Sequence, residues 1–252
     1  MNYYIRYNTL VHPDTVEQLL HLNQQFYQTF ALQFAQTRQR LQPGVRKMLP
    51  RLMTCASLLD LGCGSGELAR QLAGSGYAGL YAGVDFSNGL LEYARQGLPE
   101  GFKANFTQAS LAQAGWETQL QQSNYAAVLA FAVLHHLPGE ALRRSLLQGV
   151  RRLLLPGGEF ICSNWQFLRS PRLRNRIQPW ERAGLSDSDV DPGDYLLDWR
   201  QGGAGLRYVH AFTPTELATL AVATGFQVVE SFESDGKSGD LSLYQVWHAG
   251  KA

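Results

Sequence analysis

Between Leu58 and Ala69 the chain reads LLDLGCGSGELA: an apolar run closed by Asp60, then glycines at 62, 64 and 66 around Cys63, then a helix-forming segment. Such a strand, tight turn and helix N-terminus can hold something small and polar. Gly62 and Gly64 permit backbone conformations closed to other residues and a close approach to the main chain, and unpaired helix N–H groups face whatever binds there. Spacing narrows the ligand. The dinucleotide fingerprint needs a third glycine three residues after the second, and Glu67 stands there instead. Asp85 adds a second group: it ends the apolar run Leu80 to Val84, 25 residues after Asp60, where a carboxylate can accept hydrogen bonds from both hydroxyls of a ribose. A plain tight turn and a helix cap are the bland alternatives, with Ser87 and Asn88 equally able to cap. The loop and the acid together outweigh them.

These residues need a scaffold that brings them to one edge. Apolar strands are expected near 57–61, 80–84, 103–107, 125–131 and 158–164, mostly alternating with helices, which implies an α/β fold with a parallel sheet wound on both faces. Ligands of such sheets bind outside the carboxyl ends of the strands, where Gly62, Asp85, Ser110, Phe131 and Asn164 converge. Asp14 to Leu52 reads as helical, broken near Gln42-Pro43-Gly44, with Val16, Leu19, Leu20, Phe26, Phe30 and Phe34 at roughly helical spacing. After the fifth strand the alternation stops, and Trp165 to Phe212 reads as an irregular insertion placed to cover the substrate. Thr213 and Glu216 then cap a helix, and Phe226–Phe232 and Leu241–Trp247 form an antiparallel pair. The expected organisation is one domain over 1–252: a helical region at 1–52, a ligand-binding core at 53–164, a cap at 165–212 and a closing helix and hairpin at 213–252.

The chain has 252 residues, 45% of them hydrophobic and 17% charged, enough to bury a sizeable core, and its formal charge of +1 gives no global attraction to nucleic acid or anionic membrane. Charge is distributed unevenly. From Arg143 to Arg182 nine arginines face two acids, whereas Asp187, Asp189, Asp191, Asp194 and Asp198 follow almost at once. Arg143, Arg144, Arg151 and Arg152 read as a solvated helix face; Arg169, Arg172, Arg174 and Arg176 lie closer to the cap. Cys55, Cys63 and Cys162 have no paired spacing and read as buried thiols in a reducing compartment, so no metal is expected. No stretch approaches the ~20 apolar residues of a membrane span, and the expectation is a cytoplasmic protein with no membrane contact.

The pattern Asp60-x-Gly62-x-Gly64-x-Gly66 resembles motif I of class I methyltransferases, which use S-adenosylmethionine and release S-adenosylhomocysteine, and whose loop cradles the amino-acid part of that cofactor. Ala132 to Leu137, reading AVLHHL, resembles the segment that floors the methyl-transfer site, and LLLPGGEFICSN (153–164) the helix end, Pro-Gly-Gly turn and fifth strand of that superfamily. The resemblance implies a Rossmann-like, seven-stranded, mostly parallel sheet, with cofactor contacts from Asp60, Gly62, Cys63, Gly64, Gly66, Asp85, Phe86, Ser110, Leu111 and Phe131. Ser110 is a departure: many relatives place an Asp there for the adenine amino group, and a hydroxyl accepts without charge assistance.

A narrower resemblance spans nearly the whole chain. The leader FYQTFALQFAQTRQRLQPGVRKML with Phe34, Thr37, Arg38 and Pro43, then Pro179-Trp180, the run Arg207-Tyr208-x-His210-x-Phe212 with Glu216-Leu217, and Asp235-Gly236 are similar to the tRNA wobble-uridine carboxymethyl methyltransferase family. That likeness implies Arg38, His136 and Arg207 as polar groups facing the substrate, and a small zinc-bearing activator protein as partner. A solvated charge for Arg38 and an ion pair with the Asp cluster for Arg207 are the alternatives. Tyr208 and His210 alternate on an extended segment and are expected to line one face, with simple packing as the alternative; Trp180 is expected as a cap anchor, Tyr27 either closes over the cofactor or is a core aromatic, and of the adjacent His135 and His136 at most one is expected to enter the pocket. A carboxylate acceptor is already ionised at neutral pH, so the site must supply alignment and water exclusion rather than acid–base work. Near-zero net charge and the lack of a recognisable RNA-binding module keep a small-molecule O- or N-methyltransferase open as the alternative. A non-catalytic cofactor- or partner-binding subunit is a third reading, opposed by the intact Asp60, Gly62, Gly64 and Asp85.

Overall fold

A computed structural model describes residues 11–37, 40–200 and 203–250. Its elements follow the expected alternation: α1 (Pro13–Thr37), α2 (Pro43–Leu52), β1 (Ser57–Leu61), α3 (Glu67–Gly74), β2 (Leu80–Asp85), α4 (Asn88–Gln96), β3 (Ala104–Gln108), β4 (Tyr125–Phe131), α5 (Glu140–Leu153) and β5 (Leu154–Trp165). Then come a short α6 (Pro171–Arg174), β6 (Ile177–Gln178), β7 (Asp194–Trp199), β8 (Gly205–His210), α7 (Pro214–Ala223), β9 (Phe226–Ser234) and β10 (Ser242–Ala249).

Seven strands form one sheet in the order β3-β2-β1-β4-β5-β10-β9. The five strands from β3 to β5 run parallel, and β10 pairs antiparallel with both β5 and β9. Both faces are covered, so β1 is buried at all five positions and reads as a continuous apolar run. Its side chains alternate between two cores: Leu59 and Leu61 join Val128, Leu146 and Leu217 on one face, and Leu58 joins Met48, Leu72 and Leu129 on the other. Strand order reverses at β1, with β2 on one side and β4 on the other, which opens the crevice where open α/β sheets bind ligands.

The insertion is not irregular. β6, β7 and β8 form a separate three-stranded antiparallel sheet. One face of it, with Leu196 and Tyr208, packs on Leu19 of α1 and on Trp180; the other, with Leu197 and Val209, packs on Phe167 and Leu173. The expected apolar positions of α1 thus find this small sheet: Leu19, Phe26 and Phe30 are all buried.

Arg143 departs most from expectation. Rather than standing on a solvated face it is 2% exposed, donating to the Leu137 carbonyl (2.9 Å) and the Tyr208 hydroxyl (3.1 Å), with Asp194 at 3.7 Å and Glu216 at 3.5 Å. His210 sits in the same network, Nδ1 at 2.6 Å from Asp194 and Nε2 at 2.7 Å from Glu216. Burial disfavours its charge, but the two carboxylates outweigh burial and hold its pKa above the ordinary histidine value. Thr213 does cap α7 by accepting from the Glu216 N–H, while the Glu216 carboxylate is spent on His210 and Arg143. The network ties the small sheet to α5 and α7. Among the described residues no helix is long and apolar enough to cross a membrane.

Candidate functional site

The glycine turn is held by backbone geometry that side chains disfavour. Gly62, Gly64 and Gly66 have φ of 67°, 55° and 77°. Each has a different surround. A Cβ at Gly62 would lie 2.8 Å from Val133, and one at Gly66 would lie 2.7 Å from the Ala94 Cβ, so Gly66 lets α4 pack closely; a Cβ at Gly64 would point into open space. Gly64 is therefore the place where a ligand can meet the main chain. Its N–H donates to Asp85 Oδ2 (3.0 Å), and Oδ1 of the same carboxylate accepts from the Ser87 N–H (2.9 Å). Burial raises the Asp85 pKa against the opposing effect of the backbone donors Ser87, Gly64 and Phe86. Asp60 is buried. Burial pushes its pKa up to about 7, with Asp85 nearby adding to the rise and the Tyr81 hydroxyl, donating to Oδ2 at 2.6 Å, opposing it.

Both acids open onto a cavity of about 1030 Å³, at the upper end of the ~300 to 1,000 Å³ typical of ligand sites and roomy enough for two molecules. Its wall includes Gly62, Gly64, Asp85, Phe86, Ser110 and Leu111, then Phe131 and Val133, and also His135, His136, Trp165 and Arg207. The expected alternative for Arg207 does not hold: among the described residues it pairs with no acid of the 187–198 cluster. It is 6% exposed and stacked among the rings of Trp165 (4.8 Å), Phe26 (5.4 Å) and Trp199 (5.7 Å). Its Nε has no hydrogen-bond partner, and Tyr27 lies near the guanidinium. Burial lowers its pKa, outweighing Tyr27. A buried cation with spare donors, facing a cavity, is a site for an anion.

Tyr27 lines the cavity, its hydroxyl 2.7 Å from His136 Nε2 and its ring edge-on to Phe86 at 6.3 Å. His135 and His136 both border the cavity; the His135 residue is 1% exposed and its Nδ1 accepts from the Trp165 N–H (3.4 Å). Six of the proposed residues lie off the cavity wall. Cys63 turns its sulfur toward Gly83, and Gly66 faces Ala94. Asn164 is fully buried beside Cys162, Trp180 is packed against the small sheet, and Tyr208 and His210 are locked to Asp194. Arg38 lies outside the described residues. Several wall residues were not anticipated: Asn23 and Gln24 of α1, Trp165, Ser163, and Asp235 with Tyr244, in which Asp235 accepts from the Gly44 N–H (2.9 Å) and the Tyr244 hydroxyl (2.8 Å). Only the Asp235-Gly236 pair had left a trace in the sequence. The cover expected from the insertion comes largely from α1, with Trp165 and Arg207 as the insertion's share.

Residues 58–158 match the family model of a methyltransferase domain. A protein of Encephalitozoon cuniculi (strain GB-M1), classed by name among methyltransferases, is 29% identical over 211 residues, 81% of this chain and 87% of that protein. The tRNA (carboxymethyluridine(34)-5-O)-methyltransferase of Macaca fascicularis is 27% identical over 162 residues, 61% of this chain but 22% of its own length. The crystal structure of an S-adenosylmethionine-dependent methyltransferase from Methanosarcina mazei superposes with a TM-score of 0.63 at 22% identity, covering 84% of this chain and 99% of that one. A methyltransferase-domain pattern across 58–158 thus lies on this sheet, with the glycine turn above Asp85, in the fold shared with S-adenosylmethionine-dependent methyltransferases of known structure.

Proposed function

We propose that the methyl acceptor carries a carboxylate and that Arg207 grips it. The observation behind this reading is the buried guanidinium in its three-ring box, with an unpartnered Nε and no acid beside it among the described residues. A planar fork of donors suits a carboxylate, which needs no deprotonation to accept a methyl group. S-adenosylmethionine, when bound, supplies the electrophilic methyl on its sulfonium. The residues present fit that cofactor: open space over Gly64, paired acceptors at Asp85 for a ribose, Asp60 for the ammonium of the amino-acid part, and Ser110 with Leu111 at the adenine end. Tyr27 and the rest of α1, with Phe86, line the cavity and exclude water from it.

The carrier of that carboxylate, on our reading, is a carboxymethylated tRNA wobble uridine. The relative from Macaca fascicularis supports this by the activity its name carries, and Arg172, Arg174 and Arg176 beside the small sheet offer phosphate contacts. The test is transfer of labelled methyl from S-adenosylmethionine to undermodified tRNA and, separately, to a metabolite pool. The expected product is a base-labile methyl ester on the RNA; label in metabolites alone would overturn the RNA part. One observation favours the small-molecule O- or N-methyl alternative: His136 Nε2, 2.7 Å from the Tyr27 hydroxyl, is placed to help take a proton from a hydroxyl or amine acceptor. Base-stable label would support it.

Asp60 makes the cofactor step pH-sensitive. A neighbouring ammonium favours the carboxylate, so its pKa falls on binding and a proton leaves when the pH is below about 7. S-adenosylhomocysteine affinity should therefore weaken roughly tenfold between pH 7.5 and pH 6. Calorimetry in buffers of different ionisation enthalpy should show proton release over the same window. Asp60→Asn should bind with a flat pH dependence; a flat wild-type profile would refute the assignment.

A further inference from the structure

Asn23 is buried on α1, 6% exposed, yet none of its polar atoms is idle. Its Oδ1 accepts from the Tyr208 N–H at 2.8 Å, and because a backbone N–H can only donate, that bond fixes which way the amide points. Nδ2 then faces two carbonyls, Tyr208 and His136, each at 3.2 Å. Tyr208 belongs to β8, the strand at one end of the small sheet, so the amide occupies its edge as a neighbouring strand would. One side chain thus joins three segments that are far apart in sequence: α1, the turn after β4, and β8.

The Tyr208 carbonyl has a second approach, from His136 Nδ1 at 3.3 Å. A carbonyl only accepts, so Nδ1 carries the hydrogen, and in the neutral ring Nε2 is left as an acceptor. The Tyr27 hydroxyl, 2.7 Å from Nε2, is then the donor of that bond. Tyr27 lies four residues beyond Asn23, one turn along the same helix, and stands near Arg207. The direction of both bonds, from Tyr27 to His136 and from His136 to Tyr208, follows from that carbonyl.

We infer that Asn23 is a positioning residue: it docks α1 so that Tyr27 meets Arg207, and it holds the Tyr208 carbonyl where it keeps His136 in the Nδ1–H form. The consequence for the methyl acceptor rests on the carboxylate reading above; the consequence for the histidine ring does not. The test uses histidine-selective 15N labelling of the full chain without ligand, the His136 signal being assigned by its loss in His136→Asn. The wild-type ring should show a protonated Nδ1 and a bare Nε2, and that spectrum is decisive even should a variant fold poorly. Asn23→Ala removes the amide, and Asn23→Asp keeps the acceptor for the Tyr208 N–H but sets a second oxygen against two carbonyls. Both should let His136 exchange between tautomers. A wild-type ring with its hydrogen on Nε2, or an Asn23→Ala ring identical to wild type, would overturn the inference. Because the ring is read in the ligand-free chain, a failure of the carboxylate reading would leave these results unchanged.

Discussion

Arg207→Met should cost methyl transfer dearly while leaving the fold as stable as before, or more so. The residue is buried, and among the described residues its surroundings offer rings and a phenol but no carboxylate. Rings at 4.8 to 5.7 Å stabilise a desolvated guanidinium by about 2 kcal/mol. Stripping a cation of its water costs several kcal/mol, and the downward direction of its pKa says that burial wins. Methionine fills a similar volume without that cost, so the thermal midpoint should hold or rise by a few degrees. S-adenosylhomocysteine binding should change by no more than about twofold. Turnover on the carboxylate acceptor should fall roughly 10²- to 10³-fold, the ~3 to 4 kcal/mol of a charge-assisted, paired contact to the substrate. Arg207→Lys keeps the charge but loses the fork and the stacking, so an intermediate loss is expected. A methionine variant with wild-type turnover would refute the anchor role; one that melts far lower would make Arg207 structural. A residue that costs stability where it stands is retained for something it does.

How much of this was legible beforehand differs from one element to the next. The parallel strands were readable because burial on both faces leaves unbroken apolar runs, and β1 and β4 fall where those runs place them. The cofactor end was legible for a related reason: Gly62, Gly64 and Asp85 act through local backbone geometry, which spacing along the chain encodes. The small sheet was not. Asp194, Arg207 and His210 interrupt the apolar period of β7 and β8, and each is tolerated there by a partner or ring outside its own strand, such as Arg143 for Asp194 or Trp165 for Arg207. Arg143 looked solvated for the same reason, since nothing in the α5 sequence announces an acid some 50 residues away. Asn23 and Tyr244 were missed because their roles come from the meeting of α1 and β10 with other segments, which no local signal records.

Asp85→Asn should be the most damaging single-atom change at the cofactor end. Both carboxylate oxygens already accept backbone N–H groups, Gly64 at 3.0 Å and Ser87 at 2.9 Å, and each keeps lone pairs toward the cavity. An amide retains one acceptor and turns an NH₂ on one of those N–H groups, so a donor faces a donor in a site that is 7% exposed. The variant therefore loses a ribose contact and also unsettles the turn over which the ligand must lie. Two losses of ~1 to 2 kcal/mol each predict S-adenosylhomocysteine affinity weaker by roughly 30- to 1,000-fold. Asp85→Ala should be similar, since it removes the ribose acceptors but leaves space for water to satisfy Gly64. Calorimetric titration of the three proteins decides the matter, with the Asp60→Asn protein as a control whose loss should be smaller above pH 7 than that of Asp85→Asn. An Asp85→Asn chain that binds within threefold of wild type would mean that the ribose lies elsewhere, and the assignment of the Ser110 end would fall with it.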